Sequence, residues 1–124
     1  MKKTVLAIDD SRTIRNLLCQ TLEGAGFECV SAVDGREGVD RFLETKPDVV
    51  ITDINMPILD GFGVIEELRG DAISTNVPIL ILTTESSTDM KERAQRSGAT
   101  GWIVKPFDDA SLISVMRRVT GQVA

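Results

Sequence analysis

The chain contains no histidine, and its two cysteines do not have the Cys-x-x-Cys spacing of a metal-binding or redox pair. Without histidine, mechanisms in which an imidazole activates a serine or a cysteine are excluded, and structural zinc loses a usual ligand. Cys19 falls in a helical pattern and Cys29 in a strand-like pattern. We therefore expect two reduced thiols that pack as small apolar groups.

Long runs of basic or apolar residues are also missing. No basic run exceeds two residues and the formal net charge is -5, which argues against direct binding of nucleic acid. The first apolar stretch stops at Asp9, so it is too short for a signal sequence or a membrane span. We expect one cytoplasmic domain over residues 1–124, with no membrane insertion.

Short apolar runs alternate with helical patterns along the whole chain. Five strand-like runs cover residues 4–9, 29–33, 49–53, 77–83 and 101–104. Apolar residues at helical spacing follow each run. Ser11 is the expected N-cap of the first helix, and Ser86 with Asp89 has the spacing of a capping box before the fourth. The alternation predicts an α/β fold with a parallel sheet covered by helices on both faces.

Reactive side chains stand where the predicted strands end. Asp9 and Asp10 follow the first apolar run, Asp53 ends the third, Thr83 ends the fourth and Lys105 follows the fifth. The carboxyl ends of parallel strands share one edge of the sheet, and this edge is where open α/β sheets place their sites. We therefore expect three carboxylates, a hydroxyl and an amine to converge there.

Three converging carboxylates need a positive partner. Two carboxylates about 4 Å apart repel by roughly 4 kcal/mol at an effective dielectric near 20. An all-oxygen set suits Mg²⁺, with Mn²⁺ as a possible substitute. A cation beside a hydroxyl and a lysine would form an electrostatic clamp for a phosphoryl group. Asp53 is the best candidate nucleophile because it stands alone at the end of a central strand, and its attack on phosphorus would give an acyl phosphate.

The motifs around these residues resemble the receiver domain of bacterial response regulators over essentially the whole chain. They are IDDS at 8–11, ITDINMP at 51–57 followed by DG at 60–61, LTT at 82–84, GA at 98–99 and WIVKPF at 102–107. The resemblance implies a flavodoxin-like, doubly wound sheet of five parallel strands in the order 2-1-3-4-5, with five helices. It also implies that a histidine kinase transfers a phosphoryl group from its phosphohistidine to Asp53.

The same resemblance implies a metal site. Asp10 and Asp53 would bind Mg²⁺ directly, and Asp9 would bind it mainly through water. The main-chain carbonyl of Asn55 would complete the protein ligands. Such a domain is not an enzyme for external substrates, because it only accepts its own phosphoryl group and later hydrolyses it.

Further residues receive roles in phosphoryl binding and switching by resemblance. Lys105 and the Thr83 hydroxyl would hold the phosphoryl oxygens, and the main-chain amide of Thr84 would add a contact. Trp102 stands where receivers usually carry a tyrosine or phenylalanine that swings inward, and its larger ring makes that swing more crowded. Met90 is one of few apolar residues on the fourth helix, which we expect to form part of the partner surface.

Asn55 and Glu85 match chemotaxis receivers of the CheY type. That match implies a stand-alone regulator, phosphorylated by a histidine kinase of the CheA type, that binds the flagellar motor switch protein. A phosphate sink or a phosphorelay intermediate is the alternative within the family. A haloacid dehalogenase-type phosphatase would need an acid where Asn55 stands, two residues after Asp53. A flavin carrier is disfavoured because acids follow the first strand, where its phosphate would bind.

Overall fold

The computed structural model describes residues 2–121, which form a five-stranded parallel sheet between two layers of helices. The strands lie in the order β2-β1-β3-β4-β5, and all four neighbouring pairs are parallel. The predicted flavodoxin-like topology is therefore confirmed. The strand bounds are β1 Thr4–Ile8, β2 Glu28–Ala32, β3 Val49–Thr52, β4 Ile79–Thr83 and β5 Gly101–Val104.

Five helices cover the sheet and divide its side chains into two cores. Helices α2, α3 and α4 pack on one face and α1 and α5 on the other. Strand residues alternate between the faces, so that Leu6 and Ile8 enter the first core while Val5 and Ala7 enter the second. No helix within residues 2–121 is long and apolar enough to cross a membrane. The helix bounds are α1 Arg12–Gly24, α2 Gly35–Thr45, α3 Gly61–Arg69, α4 Thr88–Ser97 and α5 Asp109–Val119.

The strand ends differ from the predicted ends by one or two residues. Asp9 and Asp53 lie just beyond β1 and β3 instead of inside them, which leaves their carboxylates at the edge of the sheet. Strand β4 begins at Ile79 and not at residue 77. Pro78 has no amide hydrogen to donate to a neighbouring strand, although its carbonyl accepts a bond from Val50.

The first cap was predicted correctly and the fourth was not. Ser11 caps α1, and its side chain accepts a hydrogen bond from the Ile14 amide. For α4 the predicted box of Ser86 and Asp89 is wrong, because Ser87 is the N-cap. Ser87 has the extended backbone of an N-cap, and its Oγ accepts a 3.4 Å bond from the Met90 amide.

The cysteines also differ from the expectation of two reduced thiols. Cys19 of α1 and Cys29 of β2 form a disulfide, with Cα atoms 5.2 Å apart. The two residues lie in different local patterns, so their spacing gives no sign of the pairing. Their contact depends on the packing of α1 beside β2, which is a tertiary feature.

Arg69 ties together three segments at the end of the sheet opposite to Asp9 and Asp53. Its Nε donates to the carbonyl of Gly98, the C-cap of α4, at 3.0 Å. Its Nη1 donates to the carbonyls of Thr75 and Val77 at 2.9 and 2.7 Å. Burial lowers the pKa of this guanidinium below its ordinary value. Arg69 thereby fixes the C-terminal end of α4 to the segment that enters β4.

We predict that Gly61→Ala destabilises the fold. A Cβ at Gly61 would press against the Asp53 carbonyl oxygen and lie 2.9 Å from the Ile54 Cα. Crowding of this kind should lower the free energy of unfolding by about 1 to 3 kcal/mol, measured by urea denaturation. Gly24→Ala is the control, because its Cβ would meet nothing within 4 Å in a helical position. An equal loss of stability in both variants would contradict the steric explanation.

Candidate functional site

The pairing of β1 with β3 brings two of the predicted acids together. Ile8 lies opposite Thr52 in the parallel register, so the next residues, Asp9 and Asp53, are neighbours. The Asp53 amide donates to the Ile8 carbonyl at 3.0 Å, which extends the ladder to the acid itself. Each of Asp9, Asp10 and Asp53 has a carboxylate oxygen within 4.8 Å of the others. The predicted convergence of the acids is therefore present in the structure.

The three acids differ in their contact with solvent. Asp9 is 1% exposed and Asp53 is 8% exposed, whereas Asp10 lies on the surface. Two negative charges are thus held in a region with little water. The third stands at the mouth of the cluster, where it can meet an incoming ion.

Lys105 supplies the positive charge of the site. It follows β5 and precedes a cis peptide bond to Pro106. Its Nζ lies 2.8 Å from Asp9 Oδ2 and 3.0 Å from Asp53 Oδ2. Burial alone would lower the pKa of the Lys105 ammonium, but the hydrogen bonds and charges of both carboxylates outweigh it, so the pKa is raised. The ammonium is therefore held in its charged form between the acids.

Each oxygen of the Asp53 carboxylate has a donor. Oδ1 accepts a 2.7 Å bond from the Ile54 amide, and Oδ2 accepts the bond from Lys105. Asp9 is held in the same way, because its Oδ1 accepts a 2.8 Å bond from the Ser11 amide. These contacts fix the orientation of both carboxylates.

Arg15 also belongs to the site, although the sequence analysis did not single it out. Its Nη1 donates to the main-chain carbonyl of Asp9 at 2.7 Å. Arg15 lies four residues after the N-cap Ser11, and helical side chains lean toward the N-terminus of their helix. That spacing is a signal in the sequence that could have indicated a contact with the loop before α1.

The Thr83 hydroxyl is fully buried at the end of β4. Its Oγ1 accepts a 3.3 Å hydrogen bond from the Glu85 amide. Thr84, predicted to contribute its main-chain amide, follows directly and is exposed. Thr83 thus lies at the predicted edge of the sheet, and its hydroxyl is engaged with the β4–α4 loop.

The Trp102 ring lies against the same loop. It is half-buried on β5, and its indole Nε1 donates a 3.1 Å hydrogen bond to the Glu85 carbonyl. The indole N–H therefore has the partner that a buried tryptophan needs. Glu85 accepts from Trp102 through its carbonyl and donates to Thr83 through its amide, so one residue connects the hydroxyl to the ring.

The predicted pair Asn55 and Glu85 is in contact. Asn55 Nδ2 donates to Glu85 Oε1 at 3.3 Å. The bond connects the loop after β3 with the loop after β4. Their side chains are therefore placed as neighbours at the edge of the sheet that carries the acids.

Helix α4 is lightly anchored, as its few apolar residues predicted. Ala94 is its one buried residue, and Met90 is half-buried against the core. The sequence analysis missed a third contact, in which the Arg93 guanidinium lies 3.8 Å from the centre of the Phe62 ring. A cation held over an aromatic face adds attraction without apolar burial.

The acidic cluster suits a divalent cation. Its donors are hard carboxylate oxygens from two adjacent strand ends, the ligand type that Mg²⁺ prefers. Lys105 contacts Oδ2 of both Asp9 and Asp53, and the Asp10 carboxylate faces solvent. The residues present therefore fit an ion of the Mg²⁺ type.

Comparison with known proteins defines the family. The family profile described as "Response regulator receiver domain" matches residues 5–117. The chain belongs to this family. This receiver domain is 39% identical over 110 residues to the transcriptional regulatory protein PrrA of Mycobacterium leprae, covering 89% of the receiver domain and 46% of PrrA. It spans about half the length of the curated relatives it matches.

Solved structures support the same family. The receiver domain is 41% identical to the chemotaxis protein CheY4 of Vibrio cholerae, with a TM-score of 0.90 and coverage of 96% of this chain and 99% of that one. The receiver domain of the sensor histidine kinase PA1611 from Pseudomonas aeruginosa has a TM-score of 0.88 at 24% identity, covering 98% of this chain and 99% of that one. At 24% identity, the likeness to the PA1611 receiver domain shows a shared fold and no more. Relatives of chemotactic and of transcriptional type thus both match.

We predict that Mg²⁺ stabilises the receiver domain through Asp10. Without divalent cation, Asp10→Asn should raise the melting temperature because it removes one of three mutually repelling charges. Mg²⁺ at about 100 times its dissociation constant should stabilise the wild type by about 2.7 kcal/mol. Mg²⁺ should stabilise the Asp10→Asn variant much less than the wild type in the same thermal melts.

Asp40→Asn is the control for that experiment. Asp40 is an acid of α2 whose side chain is 62% exposed, and its loss should leave the response to Mg²⁺ unchanged. A full response to Mg²⁺ in Asp10→Asn would contradict the assignment of Asp10 as a ligand.

Proposed function

We propose that this receiver domain is a phosphoacceptor signalling protein, phosphorylated on Asp53 by a histidine kinase. The observation that carries the proposal is the setting of Asp53. Its carboxylate is buried at the end of β3, lies within 4.8 Å of two further carboxylates and has Lys105 Nζ 3.0 Å away. Asp9 is less suited to attack, because it is 1% exposed whereas Asp53 is 8% exposed, so an incoming phosphoryl group reaches Asp53 more readily.

The transfer itself needs one nucleophile and no separate base. An Asp53 carboxylate oxygen attacks phosphorus, and an O–P bond forms as the N–P bond of the phosphohistidine breaks. The imidazole nitrogen keeps the electron pair of that bond, and the ring is released in its neutral form after it takes a proton from solvent. A carboxylate needs no deprotonation at neutral pH, so the chemistry depends on positioning and charge.

Lys105 and Thr83 would stabilise the transferred group. The Lys105 ammonium already contacts Asp53 Oδ2 and would follow the developing charge onto the phosphoryl oxygens. The Thr83 hydroxyl and the Thr84 main-chain amide would supply the other donors. Hydrolysis of the acyl phosphate would return the domain to its starting state, so its only turnover is of its own phosphoryl group.

Asp9, Asp10 and Asp53, with the main-chain carbonyl of Asn55, would hold Mg²⁺, or Mn²⁺ in its place. When bound, the ion would offset the carboxylate charge that repels an incoming phosphate. The PA1611 receiver domain is described with a magnesium ion coordinated in its active site cleft, which supports this proposal. A phosphatase of the haloacid dehalogenase type stays disfavoured, since Asn55 cannot act as the general acid.

Phosphorylation would become a signal through Thr83 and the loop after β4. To reach a phosphoryl oxygen, the Thr83 hydroxyl would give up the 3.3 Å bond from the Glu85 amide. The main-chain carbonyl of Glu85 also accepts the hydrogen bond from the Trp102 indole. The ring and the start of α4 would therefore rearrange together with the loop. Met90 and Ala94 give α4 little buried surface to resist the change.

The output that we favour is control of the flagellar motor, after phosphorylation by a kinase of the CheA type. Its support is the 41% identity to the Vibrio cholerae chemotaxis protein CheY4, of which the chain covers 99%. Asn55 and Glu85, which contact each other, strengthen it. A role as phosphate sink or relay intermediate uses the same site. The likeness to PrrA favours a second candidate, a receiver that controls transcription.

We predict that acetyl phosphate adds one phosphoryl group to the wild-type domain in the presence of Mg²⁺. Intact-mass measurement should show the adduct in the wild type with Mg²⁺. It should show no adduct in Asp53→Asn, and none in the wild type when a chelator removes the Mg²⁺. Asp60→Asn is the matched control, because this acid caps α3 and should leave the adduct in place. An adduct that survives Asp53→Asn would refute the acceptor assignment.

We also predict that Trp102 reports the switch. It is the one tryptophan of the chain, so a change in intrinsic fluorescence on phosphorylation comes from this ring alone. Thr83→Ala should still accept the phosphoryl group by mass while losing most of the fluorescence change, because its loop no longer follows the hydroxyl. Thr84→Ala should keep the change, since its proposed contact is through the main chain. Equal fluorescence changes in both variants would disprove the coupling.

A further inference from the structure

The disulfide between α1 and the edge strand β2 has no part in the site described above. Cys19 lies on α1 and Cys29 on β2, with Cα atoms 5.2 Å apart. That separation is inside the range of about 4.4 to 6.8 Å that suits a disulfide. Both cysteines are half-buried and not enclosed, so part of each residue is in contact with solvent.

The position of the pair separates it from the phosphoacceptor. Cys29 lies opposite Val5 in the register, near the start of β1, whereas Asp9 follows the end of that strand. Four residues of strand correspond to roughly 13 Å. The disulfide thus lies toward the end of the sheet opposite to the acids.

We propose that Cys19 and Cys29 form a reversible redox site, oxidised by low-molecular-weight disulfides and reduced by the corresponding thiols. The expectation that the pair meets such thiols rests on the proposed function, because a partner of a histidine kinase shares its compartment with a glutathione-type thiol pool. The site itself rests on the position of the two cysteines. It gives the domain a second covalent state that does not use Asp53.

The exchange consists of two displacements that balance. The thiolate of one cysteine attacks a sulfur of glutathione disulfide, so that a mixed disulfide forms and one glutathione thiolate leaves. The second cysteine, as thiolate, attacks the protein sulfur of the mixed disulfide and releases the second glutathione thiolate. The two thiol protons end on the two released thiolates. The protein pair loses two electrons and two protons, which together are two hydrogens, and one glutathione disulfide becomes two glutathione molecules.

Closure of the pair constrains a defined part of the fold. The bond joins residues 10 positions apart, and the enclosed segment contains the end of α1 and the turn into β2. Within residues 2–121, strand β2 is at the edge of the sheet and pairs with β1 alone. Reduction therefore removes the covalent link on the side of β2 that faces α1, and this region should become the first to open.

The test uses the intact chain in mixtures of reduced and oxidised glutathione, quenched with acid and analysed by intact mass and thermal melting. We expect the form lighter by two hydrogens to rise and fall reversibly with the ratio of the mixture. Its melting temperature should exceed that of the dithiol form by roughly 5 to 10 °C. Hydrogen exchange should locate the difference in α1 and β2.

Cys29→Ser is the control variant. It should carry at most a glutathione adduct on Cys19, and its melting temperature should not follow the mixture. A wild-type pair that stays oxidised in excess reduced glutathione, or never loses two hydrogens in excess glutathione disulfide, overturns the proposal. Phosphorylation by acetyl phosphate is measured separately in both redox forms. A pair that cycles in a chain without an Asp53 adduct would uphold the redox site and reject the proposed function.

Discussion

Repulsion among carboxylates at one edge of the sheet is the constraint on which the rest of this structure depends. The pairing of β1 with β3 places Asp9 and Asp53 side by side out of water, and Asp10 adds a third charge at the mouth. Lys105 offsets part of this charge with two hydrogen bonds. The site is left with an excess of negative charge over its single ammonium. A cation and then a phosphoryl group, with its new demand for donors, are the ligands that such an arrangement can accommodate.

The fold holds the Asp53 and Thr83 side chains in different ways. Asp53 belongs to β3, whose four residues are all buried between two helical layers. Thr83 ends a strand that is equally buried, but its hydroxyl is bonded to a loop instead of to the core. Under the proposed function, a chemical change at Asp53 would be transmitted through Thr83, the side chain that has an alternative partner. The loop connects that side chain to the Trp102 ring through Glu85.

The sequence predicted what depends on local pattern. Apolar runs were enough to locate the five strands, and the resemblance to a known family predicted their order. The acids at the ends of the first and third runs predicted the convergence of Asp9, Asp10 and Asp53. Contacts between distant segments were missed, because nothing in the local pattern around Cys19 indicates Cys29, and Arg93 looks like an ordinary surface residue. The cap of α4 was placed one residue early because Ser86 and Ser87 are equally suitable by composition. Only the backbone geometry of Ser87 decides between them.

The hydrogen bond from Arg69 to the Gly98 carbonyl fixes one end of α4 and leaves the other end without such a contact from Arg69. Its C-terminal end is held to α3 and to the segment before β4, whereas its N-terminal end continues from the loop that carries Glu85. Under the proposed function, α4 would therefore tilt about Gly98, the residue that Arg69 holds. A helix of 10 residues is roughly 15 Å long, so a small tilt is amplified toward Ser87. Under the proposed function, a displacement that begins beside Thr83 would be largest at the N-terminal end of α4, near the edge of the sheet that carries Asp53.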